Sequence, residues 1–378
     1  MMARYLDLEA RHRRGGGYIG SVEDFTVREG EEVDAGIVLS NPNLSLYTFD
    51  DNTKQAIFVE LPDGVNLALS PFVYQTQYEQ AQRLLAVPYA DFRQIAKTLP
   101  PVRHLIMMYI SGRSGSTLLS HVFNELDSVM SLSEPDVITQ FVHLRDADHT
   151  RDAELRELAD CTVRILFKPN PYKSPATYAI KFRMETVLAM DLFQGAFPHA
   201  KNLYLYRDAE GFVRSFYRVL KDAPEMQSMP VSDFLVWFQG MFNYDFSRMR
   251  IYLDPGSETI SLIQLLTLWW MTGVEWYIEQ VKRGIPALTV HYADLIAHRE
   301  RVLAAIFEYC DLPVEGVSKA LRAFDRDSQA GTVLARENPQ EGNRLQLTDE
   351  QKQAMNRILA RHPVIRQSDF IAPNTLRV

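Results

Sequence analysis

The sequence predicts an α/β protein: a central parallel sheet flanked by helices, with a phosphate-loop-like strand-loop-helix and a small β-rich appendage at the N-terminus. Three observations predict it. Residues 105–110 form an apolar run of the length and content of a buried parallel strand; the small-residue loop Ser111-Gly112-Arg113-Ser114-Gly115-Ser116-Thr117 follows, then Leu118, Leu119, Val122, Phe123 and Leu126 at helical spacing. Beyond this point strand-like and helix-like runs alternate, as a parallel sheet with crossover helices requires. Before it, three strand-like runs between residues 37 and 61 are separated by turn residues, the pattern of an antiparallel meander.

At 378 residues the chain can form one large α/β domain or a domain plus an appendage. Its formal net charge of −8 argues against general electrostatic attraction to nucleic acid or to an anionic membrane, so an anionic ligand must be held by local cations. Two cysteines, Cys161 and Cys310, make no disulfide framework and suit a reducing compartment. The N-terminus lacks the apolar core of a signal peptide. Residues 260–274 fall short of the roughly 18 apolar residues of a membrane span and read as a buried core helix. The expectation is a cytoplasmic protein with no membrane span.

In chain order, residues 1–17 end in Arg11-His12-Arg13-Arg14 and three glycines, and read as a mobile basic tail. Strands are expected at 37–39, 44–49 and 56–61, then helices at 74–85 and 91–98, with Pro100-Pro101 marking a boundary. This divides the chain into residues 1–100, a β-meander plus helix of unknown role, and residues 101–378, the α/β domain. Within the latter, strands are expected at 129–133, 177–182, 202–206 and 287–291. Helices are expected at 137–144, 152–166, 185–196, 209–220, 234–246, 259–282, 299–309, 315–324 and 349–361. Residues 221–232 and 328–347 resist assignment, and loops of that length in a compact domain are usually functional or mobile. Trp269, Trp270 and Trp276 sit at helical spacing and read as core.

The loop at 111–117 is a candidate phosphate cradle. A strand, a glycine loop and a helix N-terminus place backbone N–H groups around an anion. Gly112 and Gly115 permit positive φ, Ser114, Ser116 and Thr117 offer hydroxyls, and Arg113 offers a forked cation. Other readings compete. The nucleoside-triphosphatase loop needs a Lys before its Ser/Thr, where this chain has Gly115. The dinucleotide fingerprint needs another glycine spacing, and a tight turn without a ligand also gives this pattern. A second candidate follows the strand at 202–206: Arg207 at its end, Asp208 as a helix cap, then Arg214, Ser215 and Arg218. An Arg and a hydroxyl placed in this way grip one phosphate from two sides. The alternative is a solvated helix face with an ion pair to Asp208 or Glu210.

Taken together, SGRSGSTLL followed by SLSEP, then LYRDAEGFVRSFYR, and finally the Tyr292-Ala293-Asp294-Leu295 turn with HRERVLAAIFEYCDLP, resemble the sulfotransferases that use 3′-phosphoadenosine 5′-phosphosulfate (PAPS). The resemblance spans about residues 105–313 and leaves the first hundred residues uncovered. It implies that the first loop holds the 5′-phosphosulfate and that Arg207 and Ser215 hold the 3′-phosphate. Adenosine 3′,5′-bisphosphate would be the product. The active site resembles the Golgi-type tyrosylprotein and carbohydrate enzymes more than the cytosolic aryl enzymes. Arg113 stands where the cytosolic type has Lys, Leu118 where it has Trp, and Glu134, Lys181 and Tyr292 match Golgi-type positions. Where the tyrosylprotein enzymes have one further cation this chain departs from the pattern and has Val219, with Arg218 beside it.

The donor carries about four negative charges, which a protein of net charge −8 must meet with a focused cluster: Arg113, Lys181, Arg207, with Arg218 and Arg344 as further candidates. By analogy with phosphoryl transfer, catalysis is positioning plus electrostatic stabilisation of the leaving oxygen, work expected of Arg113 and Lys181. Fixed cations make a metal unnecessary, and no metal-ligand cluster stands in the sequence. Glu134 is the expected general base; its alternative is an acid that pairs with Arg113 or Lys181 or caps a helix. His121 ranks behind it. Ser328, Asn343 and Arg344 are candidates to fold over the nucleotide. Two other functions remain open, a phosphate-loop kinase or nucleoside triphosphatase and a non-catalytic nucleotide-binding module. The acceptor is a hydroxyl whose identity the residues do not specify.

Overall fold

The computed structural model describes residues 1–15, 17–330 and 345–377. Twelve strands are found among them: β1 (Met2–Arg11), β2 (Phe25–Asp34), β3 (Leu44–Asp50), β4 (Gln55–Glu60), β5 (Arg83–Pro88), β6 (Leu105–Ile110), β7 (Val129–Ser133), β8 (Thr177–Lys181), β9 (Lys201–Tyr206), β10 (Ser228–Pro230), β11 (Thr259–Ser261) and β12 (Leu288–His291). The fold is α/β, with a central five-stranded parallel sheet in the order β12-β9-β6-β8-β7 and a five-stranded antiparallel sheet from the N-terminal strands. By packing, the chain divides into two compact units: residues 1–107 with 123–201, and residues 108–122 with 202–378.

In the first unit the antiparallel sheet runs β2-β1-β5-β4-β3. The β3–β4 hairpin is the expected meander, paired from Leu44↔Glu60 to Asp50↔Gln55. Three expectations fail here. The N-terminal stretch is no mobile tail, because Met2–Arg11 is a ten-residue strand laddered to β2 on one side and β5 on the other. One partner, β2, follows after a short connection (Arg11↔Phe25), but the other, β5, lies far along the chain (Arg4↔Ala86). Residues 37–39 are helical rather than extended, within the single turn Ile37–Ser40. A short apolar run does not choose between helix and strand by itself, and here Asn41 N–H closes the turn on the Ile37 carbonyl. The helix expected at 74–85 stops at Gln80, and its last part joins the sheet as β5. Phe25, Tyr47, Ile57, Val59, Leu61 and Leu84 form the buried face.

The same unit holds β7 and β8, paired in parallel from Val129↔Thr177 to Ser133↔Lys181. The last pair matters for the site, because Glu134 follows Ser133 directly. Helix Asp152–Leu166 falls where its periodicity predicts and buries Leu155, Leu158, Ala159 and Ile165.

In the second unit β9 and β12 pair in parallel, Leu203↔Leu288 to Tyr206↔His291. Helix Ala209–Leu220 follows β9, N-capped by Asp208, whose carboxylate accepts from Gly211 N–H at 2.6 Å; such a cap contributes about 1 kcal/mol. The apolar stretch at 260–274 enters helix Leu262–Lys282 at its third residue; the helix expected from 259 starts late because Thr259–Ser261 is β11, and a Ser261/Gln264 capping box opens it. Trp270 on that helix is fully buried, and its indole N–H donates to the Arg207 carbonyl at 2.9 Å. The tryptophan read as core also fixes the backbone at the end of β9. Among the described residues no helix is long and apolar enough to cross a membrane. Asn343 and Arg344 lie outside the described residues.

Candidate functional site

The second unit carries the loop. Strand β6 is buried at every residue and ends at Ile110; Ser111 N–H then donates to the Leu205 carbonyl of β9 at 2.9 Å, tying the start of the loop to the strand that Arg207 follows. The chain reverses through three positive-φ positions within four residues: Gly112 at φ 86°, Arg113 at φ 51° and, after Ser114, Gly115 at φ 81°. A non-glycine residue at positive φ is uncommon and costs on the order of 1 kcal/mol or more, strain that concentrates at ligand-binding turns. The helix Ser116–Asn124 begins immediately afterwards. Ser116 and Thr117 lie in its first turn, both 4% exposed.

The cations meet at this turn. Arg113 Nε donates to Ser215 Oγ at 2.9 Å and its Nη1 to Gln329 Oε1 at 2.7 Å. Arg207 Nη1 donates to the Arg113 carbonyl at 3.2 Å, and its guanidinium lies 4.6 Å from the centre of the Tyr292 ring. So the loop cation and the Arg207/Ser215 pair, expected as two anion-binding groups, belong to one hydrogen-bond network. Gln329 was not legible in the sequence, since it stands in a stretch with no periodicity.

Two features test whether the loop fits a phosphorylated ligand. The Ser114 hydroxyl is buried with no hydrogen-bond partner among the described residues, which is rare unless another group completes it. A Cβ at Gly115 would stand 2.9 Å from Tyr292 Cδ2, so the backbone there approaches as closely as only glycine allows. The residues fit. Gly115→Ala should therefore lower the stability of the chain by about 1–3 kcal/mol in urea unfolding. Gly240→Ala, in a helix and with nothing within 4 Å of its added Cβ, should leave stability equal or slightly higher.

The first unit carries the acid. Glu134 has φ 53°, a second non-glycine residue in the left-handed region. Its N–H donates to the Lys181 carbonyl at 2.7 Å, and its carbonyl accepts from Tyr74 N–H at 3.3 Å. The carboxylate forms a salt bridge with the Lys181 ammonium, whose side chain is 2% exposed against 12% for Glu134. Lys181 Nζ also sits 5.1 Å from the centre of the Phe72 ring. The pairing of Glu134 with Lys181 is the alternative that the sequence left open, and it keeps the carboxylate at the rim while burying the cation.

A neighbouring acid was missed. Glu185, expected only as a helix start, is buried, and burial pushes its carboxyl up to about 7 against the opposing pull of Arg183, with the charge of Glu134 adding to the rise. Its folded value lies above its unfolded one, so stability present at acid pH is lost as pH rises from about 4.5 through about 7. The urea midpoint of the parent chain should therefore fall over that interval relative to Glu185→Gln. Of the histidines, His143 is held neutral, pushed down to about 4 by burial and by Arg183.

No family model matches the sequence, and no curated protein matches it. Among solved structures, the chain is similar to a sulfotransferase from Mycobacterium avium (12% identity, 72% of this chain and 79% of that one, TM-score 0.39). It is also similar to the sulfotransferase domain of the curacin biosynthetic pathway (15%, 69% and 97%, TM-score 0.40). A mouse sulfotransferase complexed with PAP matches at 12%, over 72% and 87%, with TM-score 0.38. No residue of this chain takes a role from these matches.

Proposed function

We propose that the chain transfers a sulfuryl group from PAPS to an acceptor hydroxyl by in-line displacement. One observation carries the reading: Arg113, Ser215 and Arg207 are linked through bonds of 2.9 and 3.2 Å around a glycine turn in left-handed conformation. The resemblance implies that these groups serve the two phosphate ends of one nucleotide, and their direct linkage supports a single ligand reaching both. The donor, when bound, supplies an activated sulfuryl group on a nucleotide leaving group.

The protein's part is binding and charge. The loop N–H groups with Ser114, Gly115, Ser116 and Thr117 would hold the 5′ end, and Arg207 with Ser215 the 3′-phosphate. Tyr292, beneath the Arg207 guanidinium, keeps that fork oriented. Glu134 would take the acceptor's proton, and Lys181 and Arg113 would stabilise the charge that develops on the leaving oxygen. An Arg in the loop with Glu134 and Lys181 is the Golgi-type pattern of the resemblance.

Titration with adenosine 3′,5′-bisphosphate against ATP with magnesium tests the reading, followed by labelled donor with a panel of hydroxyl acceptors. The bisphosphate should bind more tightly, and label should move to at least one acceptor. Tight binding of ATP alone would instead establish a kinase or nucleoside triphosphatase. Bisphosphate binding with no transfer to any acceptor would leave a nucleotide-binding module.

A further inference from the structure

Three consecutive residues, Glu134-Pro135-Asp136, are anchored at both ends, and most of the anchors come from the N-terminal region. Asp136 is fully buried. Its Oδ2 accepts from Arg13 Nη2 at 2.7 Å, Gly20 N–H at 2.7 Å and Arg183 Nη2 at 3.1 Å, and its Oδ1 accepts from Arg183 Nε at 2.7 Å. The Tyr74 ring carries both guanidiniums, Arg183 at 4.0 Å and Arg13 at 4.7 Å from its centre. The Tyr74 N–H is the donor to the Glu134 carbonyl. Just upstream, Ser133 Oγ donates to the Pro71 carbonyl at 2.6 Å.

This arrangement bears on Glu134 because its backbone is strained. A glutamate at φ 53° relaxes toward the extended or right-handed regions unless its neighbours over-determine it. Strand β8 supplies one restraint, the Lys181 carbonyl. Arg183, two residues beyond it, supplies a second through its two bonds to Asp136, and the rest come from Arg13, Gly20, Pro71 and Tyr74, all within the first hundred residues.

We infer that the N-terminal region is part of the catalytic apparatus, and that Arg13 is a positioning residue which holds Glu134 in its left-handed conformation through Asp136. The inference rests on Glu134 being the base of the reaction proposed above. Arg13 does not touch the reacting groups; with Arg183 its guanidinium neutralises a buried carboxylate two residues from Glu134, and it packs on the tyrosine that grips the Glu134 carbonyl.

Two measurements on the full chain test it. In turnover, Arg13→Met should lower kcat about tenfold or more with the KM for donor unchanged. Arg13→Lys should recover most of the loss, and Arg13→Met added to Glu134→Gln should cost nothing further. An equal loss in both backgrounds overturns the inference. The second measurement needs no activity and so separates this inference from the sulfuryl-transfer reading. Arg13→Met should accelerate amide exchange at Glu134 by about tenfold or more while Val59 and Leu84 in the antiparallel sheet stay protected. Unchanged exchange at Glu134, or equal acceleration across the sheet, overturns it. A parent chain that moves no sulfuryl group removes the proposed reaction and leaves the exchange result to decide whether Arg13 positions the turn.

Discussion

Glu134→Gln should reduce turnover by about 10²–10⁴-fold while adenosine 3′,5′-bisphosphate binds with nearly unchanged affinity. The amide has the size and shape of the carboxylate but cannot take up a proton at neutral pH, so the substitution removes the base and little else from the acceptor side. The candidate nucleotide ligands Arg113, Ser215 and Arg207 are linked to one another by hydrogen bonds of their own. Stability will respond as well. Lys181 is 2% exposed and loses its counter-charge, and breaking a buried pair from one side costs about 3 kcal/mol or more. Turnover should therefore be compared well below the melting transition, with bisphosphate titration certifying the folded fraction. Turnover equal to that of the parent chain removes Glu134 from the reaction and leaves it as the partner of Lys181.

Arg207→Ala should weaken binding of the bisphosphate by about 1.5–3 kcal/mol, the range for a charge-assisted hydrogen bond. It should also erase the preference for the bisphosphate over adenosine 5′-monophosphate, because the two ligands differ only in the phosphate that Arg207 is proposed to hold. The geometry adds a second effect. Arg207 donates to the Arg113 carbonyl and lies on Tyr292, so its removal also loosens the strained loop residue at φ 51°. Binding of the monophosphate should fall as well, but by less. Isothermal titration of both ligands against both proteins separates the two contributions. A parent chain that binds the two nucleotides equally shows that Arg207 and Ser215 have another task.

Much of the molecule follows from local pattern alone. The run Leu105–Ile110, the glycine turn after it and the helix Ser116–Asn124 are legible because a buried strand and an amphipathic helix each repeat their chemistry within a few residues. Helices Asp152–Leu166, Ala209–Leu220, Arg299–Tyr309 and Asp349–Arg361 have the bounds their periodicity predicts. Asp208 as a cap and Arg207 at a strand end were likewise visible as residue types in position.

The sequence by itself thus determined the α/β class, the strand-loop-helix and the residue types offered at the loop, since all of these depend on neighbours along the chain. Only the tertiary structure decided that Met2–Arg11 is an inner strand of a sheet, that residues 37–39 turn as a helix, and that Arg113 spends its Nε on Ser215. It also decided that Glu134 pairs with Lys181, 47 positions on, and that Arg13 reaches Asp136 across 123 positions. The physical reason is common to them. A ladder bond or a buried ion pair is selected by desolvation and by whatever partner the fold brings up, and a single residue carries no mark of a partner that distant.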